Sequence, residues 1–212
     1  RLLKSEGKVD TGADITLEKN LPVAAGIGGG SADAAATIKS LNQLWNIGFP
    51  EEKLRELGLT LGADIPACLY GKPAIMSGIG EKISGLSNFP EFSILLVNSG
   101  ISVSTKEVFR RLEIGENSPE KVDLKAVAAQ ELFAKLAALR NDLEPAAREI
   151  APEIATILSV IREQEGCHLA RMSGSGATCF GLFEEARAAE AAAKSILSRY
   201  PNWWVLATAV GP

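Results

Sequence analysis

The sequence predicts an α+β chain of two domains, and three observations carry that class. The chain has 212 residues, 46% hydrophobic and 23% charged. That supplies a sizeable core and, at about 150 residues per domain, allows one large domain or two small ones. Before Pro90 an alternating segment, a glycine run and a helical repeat follow one another. After Pro90 the order is strand, helix, strand, strand, helix, strand, the split βαβ order of two helices on an antiparallel sheet. The expected domains are therefore 1–90 and 91–212.

In the first domain, Ala13 to Lys19 alternates Ile15 and Leu17 with polar neighbours, the pattern of a half-buried strand. LPVAAGIGGG follows over residues 21–30. From Ser31, a candidate N-cap, Ala34, Ile38, Leu41 and Trp45 recur on one helical face. Pro50 opens a second short helix with Leu54, Leu57 and Leu61 inward and Gly58 near its end. Pro66 disfavours helix through Ile65 and sets Asp64 at a break. Short strands are expected near Ala67 to Tyr70 and Ala74 to Ser77, punctuated by Gly71, Pro73, Gly78 and Gly80.

In the second domain, Phe92 to Asn98 reads as a buried strand, and Ser104 to Leu112 as a helix with Glu107 at capping-box distance from Ser104. A helical stretch from Leu124 to Leu139 leads to a loop with Asn141 and Asp142. Glu153 to Gln164 is amphipathic, with Ile154, Ile157, Leu158 and Ile161 inward and Gly166 as the stop. Strands His168 to Met172 and Thr178 to Phe183 flank Ser173-Gly174-Ser175-Gly176. An alanine-rich helix, Glu185 to Arg199, precedes a last strand, Trp203 to Val210.

Charge and cysteine content exclude several classes. The net charge is −4 and neither half carries a basic surplus, so a nucleic-acid partner is not expected. No apolar run reaches the roughly 18 residues of a bilayer span and no signal peptide opens the chain, which reads as a cytoplasmic protein without a membrane partner. Cys68, Cys167 and Cys179 form no CxxC pair, so each is expected as a small buried hydrophobe. The single histidine, His168, falls in a strand and is expected to be structural.

Three segments carry chemistry. Gly26, Gly28, Gly29 and Gly30 strip side chains from a stretch that enters a helix N-terminus, a phosphate cradle by physics, although a flexible turn has the same composition. The Walker lysine is absent, because Ala32 and Asp33 follow Ser31. Asp64 is costly to bury in its apolar setting; it is either a general base for a hydroxyl or a turn-stabilising cap. SGSGAT, residues 173–178, is either a ligand loop or an ordinary hairpin.

In that order, PVAAGIGGGSADA from Pro22, GADIP from Gly62 and GSGAT from Gly174 resemble the GHMP family of small-molecule kinases. The Asn141 to Pro145 segment, NDLEP, adds to the match. The triple-glycine loop favours a member other than the mevalonate, homoserine or galactose kinases, whose loops more often read GLGSS. The resemblance implies a ribosomal-protein-S5-like nucleotide domain followed by a ferredoxin-like domain. It implies ATP with Mg2+, and a diphosphocytidyl polyol whose 2-hydroxyl is phosphorylated in the non-mevalonate isoprenoid pathway. Pro22, Val23, Ala24, Ala25, Gly26, Ile27, Gly28, Gly29, Gly30, Ser31 and Ala32 would wrap the ATP phosphates. Ser31 would also approach phosphate-bound magnesium; no side-chain cluster is expected to hold a metal by itself. Asp64 matches the family's catalytic aspartate. Thr105, Gly174, Ser175 and Gly176 are the substrate-side candidates; for Ser102, Ser104 and Thr105 a helix cap is an equal reading.

The family pattern also has an upstream strand with a lysine that partners the aspartate, and residues that grip the cytidine base. The chain starts at Arg1 rather than Met and is expected to lack that part, with Lys4, Lys8 and Lys19 too near the loop to replace the lysine. Another kinase of the family, or a nucleotide-binding but inactive fragment, are the alternatives.

Overall fold

The computed structural model describes residues 1–23, 25–112, 123–124 and 128–211. It forms two compact units, Arg1–Asn20 with Gly28–Ser87, and Leu21–Ile27 with Asn88–Pro212.

The first unit contains helices α1 (Leu2–Glu6), α2 (Gly29–Leu44), α3 (Glu51–Leu59) and α4 (Ile65–Tyr70), then the hairpin β1 (Ala74–Ser77) and β2 (Lys82–Gly85). Its core gathers Leu3, Ala35, Ile38, Leu54, Leu57, Ile65 and Leu69. Gly58 lets α3 and α4 approach closely, since a Cβ there would lie 2.7 Å from Ile65 Cγ2 and 2.9 Å from Leu69 Cδ1. In the hairpin Ala74 faces Gly85 and Ser77 faces Lys82.

Several expectations for this unit are corrected. Residues 13–19 form no strand, and Ile15 and Leu17 are each 61% exposed. Alternation specifies a strand only when a neighbour pairs with it, and none does among the described residues. Residues 67–70 are helix, not strand. Pro66 sits in the first turn of α4, where its missing N–H would have had no intrahelical acceptor anyway. Leu61 lies beyond the end of α3 and is exposed. The helix α1 and the strand β2 were not foreseen.

In the second unit, β3 (Phe92–Asn98), β4 (Leu169–Met172), β5 (Cys179–Phe183) and β6 (Trp204–Val210) form one antiparallel sheet in the order β4-β5-β3-β6. With helices α5 (Thr105–Arg111), α6 (Ala129–Ala137), α7 (Glu144–Ile150) and α8 (Glu153–Arg162) before β4, and α9 (Ala186–Arg199) before β6, this is the expected split βαβ order. Along β3, Leu95 and Val97 enter the cluster built with Ile154, Ile157, Ile161 and Ile196 from α8 and α9. Phe92 and Ile94 join Leu132 and Phe133 of α6 in another cluster. The sheet is thus covered on both faces, and its first strand reads as a continuous apolar run.

Three strands begin one residue later than expected, at Leu169, Cys179 and Trp204, which leaves His168 just outside β4, and α8 ends at Arg162 rather than Gln164; two larger differences remain. The helix expected over 124–139 is α6, Ala129–Ala137, with residues 125–127 outside the described set. The loop after Asn141 turns directly into α7, again with proline in the first turn.

Candidate active site

The start of α2 has the makings of an anion site. Its N-cap is Gly28, at φ +68°, a left-handed conformation that favours glycine. The first helical bond closes from the Ala32 N–H to the Gly28 carbonyl at 2.9 Å. The N–H groups of Gly29, Gly30 and Ser31 therefore have no intrahelical acceptor, at the positive end of a helix of 16 residues with no acid in its first turn. A Cβ on Gly28 or Gly30 would meet nothing within 4 Å. Ser31 is the third helical residue and not the expected N-cap, because the chain turns into the helix at Gly28. Asp33, one turn on, is paired with Lys19 in a half-exposed ion pair. Such a pair contributes at most about 1 kcal/mol, so it trims the local charge more than it holds the helix.

The same unit carries Asp64. It occupies the N-cap position of α4, yet its backbone is helical (φ −85°, ψ −14°) and its side chain makes no capping bond. Of the two readings of this residue, the capping one has no hydrogen bond behind it. The carboxylate is exposed. Its charge is felt one turn away: the Cys68 thiol is pushed up first by burial and then by the negative charge of Asp64.

In the second unit, residues 21–27 are stitched to the loop between β4 and β5. Ser173 Oγ donates to the Gly26 carbonyl at 2.9 Å, and the Thr178 N–H donates to the Ala25 carbonyl at 3.2 Å. A Cβ on Gly26 would lie 2.5 Å from the Gly176 oxygen and 2.6 Å from the Ser173 oxygen. Gly26 (φ +71°), Gly174 (φ +53°) and Gly176 (φ +87°) all have left-handed backbones. These glycines serve close approach, which an ordinary hairpin would not require. Pro22 is half-buried, Val23 is exposed, and Ala24 lies outside the described residues.

The structure also gathers the substrate-side candidates. Thr105 Oγ1 lies 2.8 Å from Ser175 Oγ, and Ser175 is buried. Ser104 accepts from the Glu107 N–H at 3.4 Å, so the cap belongs to Ser104 and not to Thr105.

Two supporting residues escaped assignment from sequence. Asn141 Nδ2 donates to the Met172 and Gly174 carbonyls at 3.0 and 2.8 Å, while its Oδ1 accepts from the Leu143 N–H at 3.0 Å. Buried Asn98 donates to Thr178 Oγ1 at 2.9 Å and accepts from the Gly100 N–H at 2.8 Å. The signal for Asn98 was an amide closing a strand whose one other polar residue is Ser93.

The remaining candidates are the histidine and the cysteines. The His168 ring packs against Phe133 at a tilt of 38°, with centroids 5.2 Å apart, and its Nε2 lies 3.2 Å from Glu184. Cys179 is buried, whereas Cys68 and Cys167 are half-buried, which corrects the expectation for those two. Among the described residues, no cluster of three or more His, Cys, Asp or Glu side chains could hold a metal. No helix among them is long and apolar enough to cross a membrane.

Comparison with known proteins matches residues 1–72 to the GHMP kinases N terminal domain and residues 124–202 to the GHMP kinases C terminal domain. A 4-diphosphocytidyl-2-C-methyl-D-erythritol kinase from Chelativorans sp. (strain BNC1) is 51% identical over 92% of this chain and 66% of its own length. One from Parvibaculum lavamentivorans is 46% identical over 100% of this chain and 74% of its own. The chain therefore spans about two thirds to three quarters of these relatives. A crystal structure of 4-(cytidine 5'-diphospho)-2C-methyl-D-erythritol kinase superposes with a TM-score of 0.79 at 31% identity, covering 100% of this chain and 76% of that one. A homoserine kinase from Cytophaga hutchinsonii, 17% identical with a TM-score of 0.72 over 91% of this chain and 68% of that one, shares the fold. With a glycine-opened helix, a split βαβ sheet and two matching domains in order, the chain belongs to the GHMP kinase family, as a homologue of its 4-diphosphocytidyl-2-C-methyl-D-erythritol kinases.

Proposed function

We propose that the chain transfers the γ-phosphoryl group of ATP to the 2-hydroxyl of 4-diphosphocytidyl-2-C-methyl-D-erythritol, a step of the non-mevalonate isoprenoid pathway in the cytoplasm. The observation that supports this most is the start of α2, where the N–H groups of Gly29, Gly30 and Ser31 have no intrahelical acceptor and Gly28 and Gly30 leave open space beside them. In this reading residues 1–90 are the ATP-binding domain and 91–212 the ferredoxin-like one, and Pro22 to Ala32 is the ATP loop. No nucleic acid or membrane enters the reaction.

Phosphoryl transfer passes through a loose transition state with charge spread on the equatorial oxygens, so oriented donors matter more than covalent chemistry. The N–H groups of Gly29, Gly30 and Ser31 are oriented before the reaction and need no reorganisation as that charge develops. Asp64 accepts the proton of the attacking hydroxyl. Its exposed carboxylate, free of a capping bond, has an acceptor lone pair to give. Thr105, Ser175 and the backbone of Gly174 and Gly176 orient the polyol. The Ser31 hydroxyl is the protein group that would approach Mg2+ on the ATP phosphates, where the ion would neutralise charge while relying mainly on phosphates and few protein ligands.

The test is ATP binding by calorimetry together with ADP release on the diphosphocytidyl alcohol, on mevalonate and on homoserine. Turnover on the first alone supports the proposal. Turnover on another alcohol reassigns the substrate, and ATP binding with no turnover on any of them favours an inactive nucleotide-binding fragment.

A further inference from the structure

The turn between β1 and β2, Gly78 to Glu81, is exposed at Gly78, Ile79 and Glu81 but buried at Gly80. A buried residue at the tip of a hairpin needs something lying on it, and the covering group is the peptide that leads into Asp64. A Cβ on Gly80 would penetrate the Ala63 carbonyl oxygen and lie 3.0 Å from its carbon and 3.2 Å from Ala63 Cα. Gly80 also has φ +103°, which L side chains rarely adopt.

The turn that carries this glycine is locked from within. The Gly80 N–H donates to the Ser77 carbonyl at 3.3 Å, and the Glu81 carboxylate accepts from the Ile79 N–H at 2.7 Å. Hydrogen bonds from the Glu81 and Ile79 backbone hold that carboxyl below its usual range. The Asp64 carboxylate has no capping bond to fix it, so its direction depends on the backbone from which it projects.

We propose that Gly80 is a positioning residue for Asp64: packed directly against the Ala63 carbonyl, it fixes the peptide that aims the Asp64 carboxylate, while Glu81 keeps the turn closed. The proposal rests on the reading of Asp64 as the general base. A reacting group displaced by about 1 Å loses rate by about 10²-fold, which sets the size of the effect.

The test compares Gly80→Ala and Glu81→Gln with the unaltered chain, alone and combined with Asp64→Asn. The measurements are kcat on the diphosphocytidyl alcohol, KM for ATP, and hydrogen exchange of the Cys68 amide, which donates to the Asp64 carbonyl at 3.1 Å. Gly80→Ala should lower kcat by about 10²-fold, leave KM for ATP within about twofold, and speed Cys68 exchange by about tenfold while α2 keeps its protection. In the Asp64→Asn background it should cost nothing further. Glu81→Gln keeps an acceptor oxygen but not the charge; it should lose a smaller factor with an unchanged melting temperature, and it carries the test if Gly80→Ala does not fold. Unchanged Cys68 exchange in both variants, or a loss that multiplies with that of Asp64→Asn, overturns the proposal. Full turnover by Asp64→Asn alone overturns the general-base reading instead, and with it the premise, without reference to Gly80.

Discussion

The Ser173 hydroxyl donates to the Gly26 carbonyl oxygen at 2.9 Å across 147 residues of sequence. In return, Gly26 presents a bare α-carbon to the Ser173 and Gly176 carbonyls. The two glycine-rich segments of the second unit are thus one backbone-to-backbone contact, held by a serine at one end and the Thr178 N–H at the other. Closeness of this kind leaves no room for a side chain, and it separates the glycines of the loop into two kinds.

Glycines that serve packing should cost stability, and glycines that serve the ligand should cost binding. Gly26→Ala must break a positive φ and a 2.5 Å approach to a carbonyl oxygen, for a loss of about 2–4 kcal/mol. Gly30→Val has open space around it, so the denaturant midpoint should stay while ATP binding weakens by about tenfold or more, because the branched side chain stands beside the first-turn N–H groups that lack an intrahelical acceptor. Denaturant titration and ATP calorimetry on both variants check the pair. Equal losses of stability would mean the loop is only a turn.

Asp64→Asn should leave ATP binding intact and lower turnover by about 10²–10⁴-fold, the usual worth of a positioned proton acceptor. The same substitution has a readout that needs no substrate. Because the charge of Asp64 adds to burial in pushing the Cys68 thiol up, removing that charge should bring the thiol down toward its ordinary value. Thiolate absorbance against pH, in a variant that keeps Cys68 alone, measures the shift. A Cys68 titration unmoved by the substitution would mean the two side chains point apart.

The second unit was the more legible of the two, and the reason is physical. In β3 the run FSILLVN is buried on both faces, and in α8 four apolar residues repeat at helical spacing, so composition and period agree with the packing. In the first unit local pattern and tertiary context diverge. Ile15 and Leu17 alternate as a strand would, but no described strand pairs with them. Pro66 reads as a break, yet the first turn of a helix tolerates it. Asp64 and the glycines could be located from sequence because glycine and an isolated carboxylate are conspicuous. Asn98 and Asn141 could not be given roles, since what their amides bond to is set by chain segments 80 and 31 residues away.

Asn141 offers a sharp test of how the substrate-side loop is held. Its amide donates to two carbonyls, of Met172 and Gly174, and its oxygen accepts from Leu143. Asn141→Asp keeps the acceptor and the size but turns two donors into a carboxylate oxygen facing carbonyl oxygens. The expected loss is about 2–4 kcal/mol, from two hydrogen bonds exchanged for repulsion. Asn141→Ala should cost less, because it removes the bonds without adding a charge. Chemical denaturation orders the two variants, and an aspartate variant as stable as the alanine one would refute the donor assignment.

Cys179 should mark the folded second unit chemically. Burial pushes its thiol up to about 12, with the charge of Glu144 adding to the effect and that of Arg162 opposing it. At neutral pH it holds its proton, and the thiolate is the reactive species, so iodoacetamide should modify Cys68 and Cys167 first and reach Cys179 only on unfolding. The sign of the pH dependence follows from the same shift. The unfolded thiol ionises near 9.0 and the folded one near 12, so the stability this group confers is complete below about pH 9 and is lost as pH rises toward 12. Denaturant midpoints measured between pH 8 and 11 should therefore fall more steeply for the unaltered chain than for Cys179→Ala. Parallel curves would show that the thiol is not desolvated in the folded state.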